Sequence, residues 1–438
     1  MGHREMTLKL RQILSDRQGN FGILTAVIMV PLLGCAGLAI DMTNALRIRS
    51  QLMDAADSAA LGAITEQSKG VAAAVKMAAN GNVPIAEADG RQLFQSQSSD
   101  AFLQTPVDVS VAVNKAGNNL TSEVRFSAEV PTTFLRILGH EAISISGTAS
   151  AVYQTESFTD FYMLLDNTPS MGVGATPADV AKMVAATSDK CAFACHIVKD
   201  GVDNPNSYYN LARKIGATIR IDVVAKATAA LMDEAIATQK YASQFRIAAY
   251  TFGEAATDVK LFPVSKLTSD LNALKKAASN IKLMSIPEQG YNNDQQTSFD
   301  DALTKIGAEI DTPGDGSSTA SREKIVFFVA DGVGDSYKPK GCTKKLTGSR
   351  CQEPIDTKYC QALKDRGIRI AVLYTTYLPL PTNNWYNDWI SPFQNEIGNR
   401  MKDCASDGLY FEVSPTEGIE AAMKALFLKA VKSPRLAG

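Results

Sequence analysis

The longest uninterrupted apolar stretch of the chain covers residues 21–40 and contains no charged side chain. A helix of this length rises about 30 Å, which matches the hydrocarbon core of a bilayer. Pro31 lies within the stretch, and membrane helices tolerate an internal proline because neighbouring groups compensate for the lost hydrogen bond. The pattern predicts a single transmembrane helix over 21–40, preceded by a short N-terminal segment over 1–20.

Basic residues precede this stretch, at Arg4, Lys9, Arg11 and Arg17. The positive excess predicts that the N-terminus is cytoplasmic and that the remaining chain lies on the other side of the membrane. The alternatives are a cleaved signal peptide and a lipoprotein anchor. A cleaved signal peptide has a shorter apolar region and a small-residue exit, and a lipoprotein box around Cys35 is followed here by further apolar residues.

Beyond the apolar stretch the periodicity changes twice. Residues 41–80 are rich in alanine and lack proline, which predicts a helical stalk outside the membrane. Within 81–157, three stretches alternate apolar with polar side chains: 107–113, 120–130 and 142–153. This alternation predicts a small β-rich module.

From residue 158 to residue 438, short apolar runs alternate with helical patterns. The predicted strands are 161–165, 245–252, 259–262, 325–330, 368–374 and 409–412, and the predicted helices are 221–237, 269–281, 299–309, 357–365 and 416–431. Nearly all-apolar strands separated by helices are typical of a buried parallel sheet. We therefore expect an α/β fold with a doubly wound, mostly parallel sheet in this segment.

Composition agrees with a chain of several folded units. The 438 residues are 45% hydrophobic and 21% charged, which excludes a disordered, collagen-like or polytopic membrane protein. The 44 basic and 46 acidic residues give a net charge of −2, so no nucleic-acid partner is expected.

Oxygen-bearing side chains follow two of the predicted strands and precede one of the predicted helices. Asp166, Thr168 and Ser170 follow the first, Thr297 precedes a helix, and Asp331 follows the strand of sequence IVFFVA. In such sheets, ligands bind at the carboxyl ends of the strands. Carboxylates and hydroxyls suit a hard divalent cation, with Mg²⁺ expected first and Mn²⁺ or Ca²⁺ as alternatives. The same residues could instead be ordinary turn and capping residues.

Six of the seven cysteines lie beyond residue 190: Cys191, Cys195, Cys342, Cys351, Cys360 and Cys404. An even set in an exported domain suggests disulfides, although sequence alone leaves the connectivity open. Pairing neighbours predicts Cys191 with Cys195, Cys342 with Cys351, and Cys360 with Cys404.

The chain offers little for catalysis. It has three histidines and neither a Walker loop nor a G-x-S-x-G motif. A metal-dependent hydrolase lacks an evident general base beside the candidate site, because the neighbouring groups are hydroxyls. We expect no enzymatic activity.

The pattern D-x-T-x-S after an apolar strand, with a later Thr before a helix and Asp-Gly after another strand, resembles the von Willebrand factor A domain. That resemblance implies a metal-ion-dependent adhesion site at Asp166, Thr168, Ser170, Thr297 and Asp331. The family usually has Ser where this chain has Thr168, which keeps the hydroxyl and adds a methyl group.

The N-terminal residues resemble a second family. R-Q-G-N-F at 17–21, Pro31, Asp41 and LMDAADSAALGA at 52–63 are similar to the N-terminal segment of TadE/TadG-like proteins of the Flp pilus (tight adherence) apparatus. The two resemblances in this order are those of TadG-like proteins. They imply a bacterial inner-membrane component of pilus assembly, whose periplasmic A domain would bind an acidic group of a partner through the metal. The alternative is a surface adhesin that binds an extracellular ligand.

Overall fold

The computed structural model describes residues 20–98, 105–291, 296–377, 379–381, 383–414 and 418–432. The chain divides into two compact units, one ending at Thr155 and the other beginning at Glu156.

The described part of the first unit, residues 20–98 and 105–155, combines three helices with one sheet. Its elements are α1 (Asn20–Ala63), α2 (Lys69–Ala74), β1 (Gly81–Asn82), α3 (Pro84–Gln97), β2 (Val107–Ala116), β3 (Asn119–Pro131) and β4 (Ala142–Gln154). The strands pair in this order and are antiparallel throughout. The three stretches with alternating side chains thus form β2, β3 and β4. Alternate residues of β3, from Leu120 to Val130, are buried.

Helix α1 is the long apolar helix expected from the sequence, and this expectation is confirmed. Over Leu24–Ala63 it is long and apolar enough to cross a membrane, by length and composition. Its side chains between Leu24 and Ile40 are mostly exposed, whereas beyond this point one face is buried. That face consists of the alanines Ala45, Ala56, Ala59 and Ala63, which allow close packing, and of the larger Ile48 and Leu52.

The helix ends earlier than the alanine-rich pattern suggests. Helix α1 stops at Ala63, and the hydroxyl of Ser68 accepts a hydrogen bond from Val71 N at 3.0 Å, which caps a new helix, α2. The polar stretch after residue 81 contains α3, which begins with Pro84 in the first turn, where a proline is tolerated.

The second unit is built around a larger sheet. Its helices are α4 (Pro177–Ala186), α5 (Tyr208–Lys214), α6 (Arg220–Thr238), α7 (Leu271–Ala278), α8 (Phe299–Glu309), α9 (Thr357–Asp365), α10 (Asn384–Trp389), α11 (Gln394–Cys404) and α12 (Ile419–Lys432). Its strands are β5 (Thr159–Leu165), β6 (His196–Lys199), β7 (Val202–Asp203), β8 (Phe245–Thr251), β9 (Phe262–Thr268), β10 (Ser285–Ile286), β11 (Gln296–Thr297), β12 (Glu323–Ala330), β13 (Val333–Tyr337), β14 (Leu346–Thr347), β15 (Arg350–Pro354), β16 (Arg369–Thr375) and β17 (Tyr410–Val413).

Six of these strands form one mixed sheet in the order β17-β16-β12-β5-β8-β9. Neighbours are parallel except for β8 and β9, which are antiparallel. The residues of β5 alternate between two apolar clusters. Met163 belongs to the cluster that includes residues of α6 and α12, and Leu164 to the cluster that includes residues of α8 and α11. The α/β class expected from the sequence is confirmed.

One predicted strand was wrong. The predicted strand 259–262 overlaps the edge strand only at its last residue, because the edge strand runs over Phe262–Thr268 and pairs with β8 through an irregular register. Edge strands are half-exposed, and β9 accordingly includes Ser265 and Lys266. Its apolar pattern is therefore too weak to predict a strand from the sequence.

Two of the three predicted disulfides are confirmed. Cys342 is bonded to Cys351, and Cys360 at the middle of α9 is bonded to Cys404 at the end of α11. The prediction for Cys191 and Cys195 was wrong, because these two residues are not joined by a disulfide. Their side chains are instead in hydrogen-bond contact, and this contact lowers the pKa of the Cys191 thiol.

Candidate metal site at the carboxyl ends of two strands

Two buried carboxylates meet at one edge of the six-stranded sheet. Asp166 directly follows β5, and Asp331 directly follows β12. These strands are parallel neighbours, with Leu165 opposite Val329, so the residues after them lie at the same edge. Both aspartates have no exposed surface.

Thr168 connects the first carboxylate to the rest of the site. Its backbone N and its hydroxyl both donate to Oδ1 of Asp166, at 2.9 and 2.6 Å. Its hydroxyl also lies 3.4 Å from the hydroxyl of Ser170, the second residue of the short 3-10 turn Pro169–Gly172. Ser170 is partly exposed and provides a hydrogen bond that lowers the pKa of Asp331.

Thr297 reaches the same place from a separate segment. It lies in β11, which pairs with β13 so that Thr297 is opposite Asp335. Its hydroxyl donates to Oγ1 of Thr168 at 2.9 Å, and it is nearly fully buried. The structure therefore brings together all five residues singled out in the sequence, while their role as metal ligands stays a prediction.

Burial and mutual repulsion disfavour the charged forms of the two carboxylates. Burial raises the pKa of Asp166, and the neighbouring Asp331 raises it further against the hydrogen bonds from Thr168. Burial likewise raises the pKa of Asp331, opposed by Arg220 and Ser170. Oδ2 of each residue is buried and accepts no hydrogen bond from the residues that the structure describes. A pair of buried, orphaned carboxylate oxygens fits a cation.

A buried arginine lies beside this pair, and the sequence pattern did not indicate that it belongs to the site. Arg220 is the first residue of α6 and is 1% exposed. Its Nη1 lies 3.6 Å from Oδ2 of Asp331, its Nη2 donates to the carbonyl oxygen of Thr376 at 3.2 Å, and its Cζ is 5.5 Å from the ring centre of Tyr377. The site therefore contains one guanidinium for two carboxylates.

A polar cleft adjoins the surroundings of Arg220. It has a volume of about 480 Å³, and Thr376 and Tyr377 line it together with residues of α11 and β17. Lys402 and Glu412 supply charges of opposite sign to its wall.

A third buried carboxylate, that of Asp160, lies at the start of β5, and neighbouring cations balance its charge. Asp160 pairs with Arg246, Arg322 and Lys324, each through a contact of 2.6 Å. Burial alone would raise the pKa of Asp160, but these cations outweigh burial and hold it below its ordinary value. Its charge is already compensated, so Asp160 is a structural residue.

These features define a class of protein: a chain with a membrane-length N-terminal helix and an α/β unit that carries an acidic, hydroxyl-rich site at its strand ends. Residues 19–78 match the family model described as "Putative Flp pilus-assembly TadE/G-like". The N-terminal part of the chain is thus similar to TadE/G-like proteins, as its residues 17–63 predicted. No curated protein matches the chain.

Among solved structures, the chain is similar to proteins of bacterial pili. The pilus adhesin SpaC from Lactobacillus rhamnosus GG matches with 10% identity and a TM-score of 0.37, covering 74% of this chain and 34% of SpaC. The vWF domain of the type V pili tip protein Mfa5 from Porphyromonas gingivalis matches with 11% identity and a TM-score of 0.34, covering 65% of this chain and 99% of that domain. The chain thus spans about a third of the SpaC structure.

Proposed function

We propose that the protein is a membrane-anchored, non-enzymatic component of Flp/Tad-type pilus assembly that engages a partner through a metal-ion-dependent site. The TadE/G-like segment over 19–78 supports the pilus role. The apolar part of α1 would span the bacterial inner membrane with its N-terminus in the cytoplasm, and the second unit would be a doubly wound domain of the von Willebrand factor A type in the periplasm.

The observation that carries the metal site is the pair of orphaned buried oxygens on Asp166 and Asp331. Asp166, Thr168, Ser170, Thr297 and Asp331 would hold a divalent cation, with Mg²⁺ expected before Mn²⁺ or Ca²⁺. A bound ion offers positive charge to an acidic group of a partner. The protein's own contribution is to hold the two carboxylates together in a site largely shielded from water.

The test is a Mn²⁺ titration of the full chain in lipid nanodiscs, followed by electron paramagnetic resonance of the free ion, with Mg²⁺ as competitor. We expect saturable binding that is lost in Asp166→Asn and in Asp331→Asn, which remove the charge and keep the shape. Asp258→Asn is the matched control, since Asp258 is exposed and paired with Lys260. Absence of binding to the wild-type chain would refute the metal site.

The pilus role needs its own experiment. Deleting the gene should abolish assembled pili. The wild-type chain should restore them, and it should be found in the inner-membrane fraction. Recovery of the second unit on the cell surface, separated from α1, would instead support the surface adhesin.

A further inference from the structure

The connection between β3 and β4 carries an apolar tip. Within it, residues Leu135–Leu138 form a 3-10 helix. Three large apolar side chains at this tip face solvent: Phe134 is 42% exposed, Ile137 83% and Leu138 66%. Apolar side chains clustered at an exposed tip typically mark a contact surface.

The tip is fixed to α1 by a buried carboxylate. Asp41 accepts hydrogen bonds from the backbone N atoms of Thr133, Phe134 and Leu135, at 3.0, 2.9 and 2.8 Å. Three bonds from consecutive backbone groups to one side chain leave this end of the connection little freedom to move away. The position of the tip along α1 is therefore set by Asp41.

A glycine in α1 allows a second contact. A Cβ atom at Gly37 would lie 2.5 Å from Cβ of Phe134, closer than such atoms approach each other, so Phe134 packs directly on the bare helix backbone. Gly37 is one turn before Asp41, which places it about 6 Å further into the apolar stretch of 21–40. Phe134 thus lies beside residues expected within the membrane.

The apolar surface of the tip continues the apolar surface of the helix. Leu33, Leu38 and Ile40 of α1 are 63%, 48% and 55% exposed around the same level. Arg136, exposed between Phe134 and Ile137 in the sequence, offers a cation to lipid phosphates while its stem stays apolar. Whatever covers both the helix and the tip must therefore be apolar where it meets these side chains and anionic where it meets Arg136.

We propose that the β3–β4 tip inserts Phe134, Ile137 and Leu138 into the lipid bilayer beside α1, as a second membrane contact of the first unit. The proposal rests on the membrane anchoring proposed above for α1. It adds a site at which the extramembrane sheet touches lipid, and it requires no metal and no second protein.

The test uses single tryptophan substitutions in the full chain, reconstituted in nanodiscs of phosphatidylethanolamine and phosphatidylglycerol with acyl chains brominated near the headgroup. Bromine quenches only tryptophans that touch the lipid. Ile137→Trp probes the tip, and Leu33→Trp probes α1. Val152→Trp is the matched control, because Val152 is 70% exposed near the opposite end of β4.

We expect brominated lipid to remove most of the emission added by Ile137→Trp and by Leu33→Trp, and none of that added by Val152→Trp. Leu138→Trp should repeat the result for Ile137. Quenching at Leu33 without quenching at Ile137 or Leu138 would overturn the tip proposal and leave the anchor intact. Absence of quenching at Leu33 would overturn the anchor itself.

Discussion

The guanidinium Nη1 of Arg220 lies 3.6 Å from Oδ2 of Asp331, and the two side chains are 1% and 0% exposed. A buried positive charge already stands beside the carboxylate that is expected to bind a cation. It balances one of the two negative charges of the site. Arg220 should therefore weaken ion binding and leave a net positive charge when an ion is bound, a state that an acidic group of a partner would neutralise.

Replacing Arg220 with methionine should strengthen the binding of Mn²⁺. The positive charge of Arg220 repels a divalent ion bound by the two carboxylates by more than about 1.4 kcal/mol, even at an effective dielectric constant of about 20. The affinity for Mn²⁺ should therefore rise at least about tenfold. The same nanodisc titration measures it. Arg213→Met is the control, because Arg213 pairs with Asp222 and not with Asp331. Unchanged affinity in Arg220→Met would contradict this role, and Arg220→Lys should stay close to the wild type.

Replacing Asp160 with asparagine should destabilise the second unit. The variant leaves Arg322 and Lys324 buried without their counter-charge, which typically costs about 3–5 kcal/mol. Thermal unfolding of the full chain in detergent measures the effect. Asp233→Asn removes an exposed pair with Lys275 and should cost less than about 1 kcal/mol. Equal losses in the two variants would contradict the structural role of Asp160.

Acid should remove the contribution of Asp160 to stability. The folded pKa of Asp160 lies below its ordinary value of 3.8, so its contribution to stability is fully present above that pH and is lost as pH falls through the folded pKa. The unfolding temperature should drop below about pH 4, and less steeply in Asp160→Asn than in the wild type. Parallel acid profiles for the two chains would rule out this contribution.

The two disulfides should differ in their effect on stability. Cys360 and Cys404 are 44 residues apart and Cys342 and Cys351 are 9 apart, so the first bond restricts a longer loop of the unfolded chain. Replacing both Cys360 and Cys404 by alanine should lower the free energy of unfolding by roughly 4 kcal/mol. Replacing both Cys342 and Cys351 should lower it by roughly 3 kcal/mol. Thermal unfolding under non-reducing conditions measures both. A larger loss for the short loop would contradict the loop-length argument.

The sequence predicted those parts of the site that depend on local pattern. Asp166 and Asp331 each follow a nearly all-apolar run, and adjacent parallel strands bring such residues to one edge. Thr297 lies on the two-residue strand β11, which is too short to show a period, and its contact with Thr168 depends on the pairing of β11 with β13. It was singled out by its resemblance to a motif.

Arg220 could not have been found in the same way. An arginine in the first turn of a helix usually faces solvent, because burying a charged side chain costs its hydration. Its burial depends on Thr376 and Tyr377, which follow β16 much later in the chain. Similarly, Cys191 and Cys195 are close enough in sequence to suggest a bond, but sequence spacing does not reveal the redox state of their side chains.

The unbroken course of α1 also determines how the first unit can turn. The helix is about 66 Å long, so its outer half lies beyond a bilayer spanned by its apolar half. The outer half packs within the first unit without an intervening linker. Rotation of the membrane segment about its own axis would therefore turn β1 to β4 through the same angle. Helix contacts formed inside the bilayer would thus select the direction in which this sheet faces neighbouring proteins.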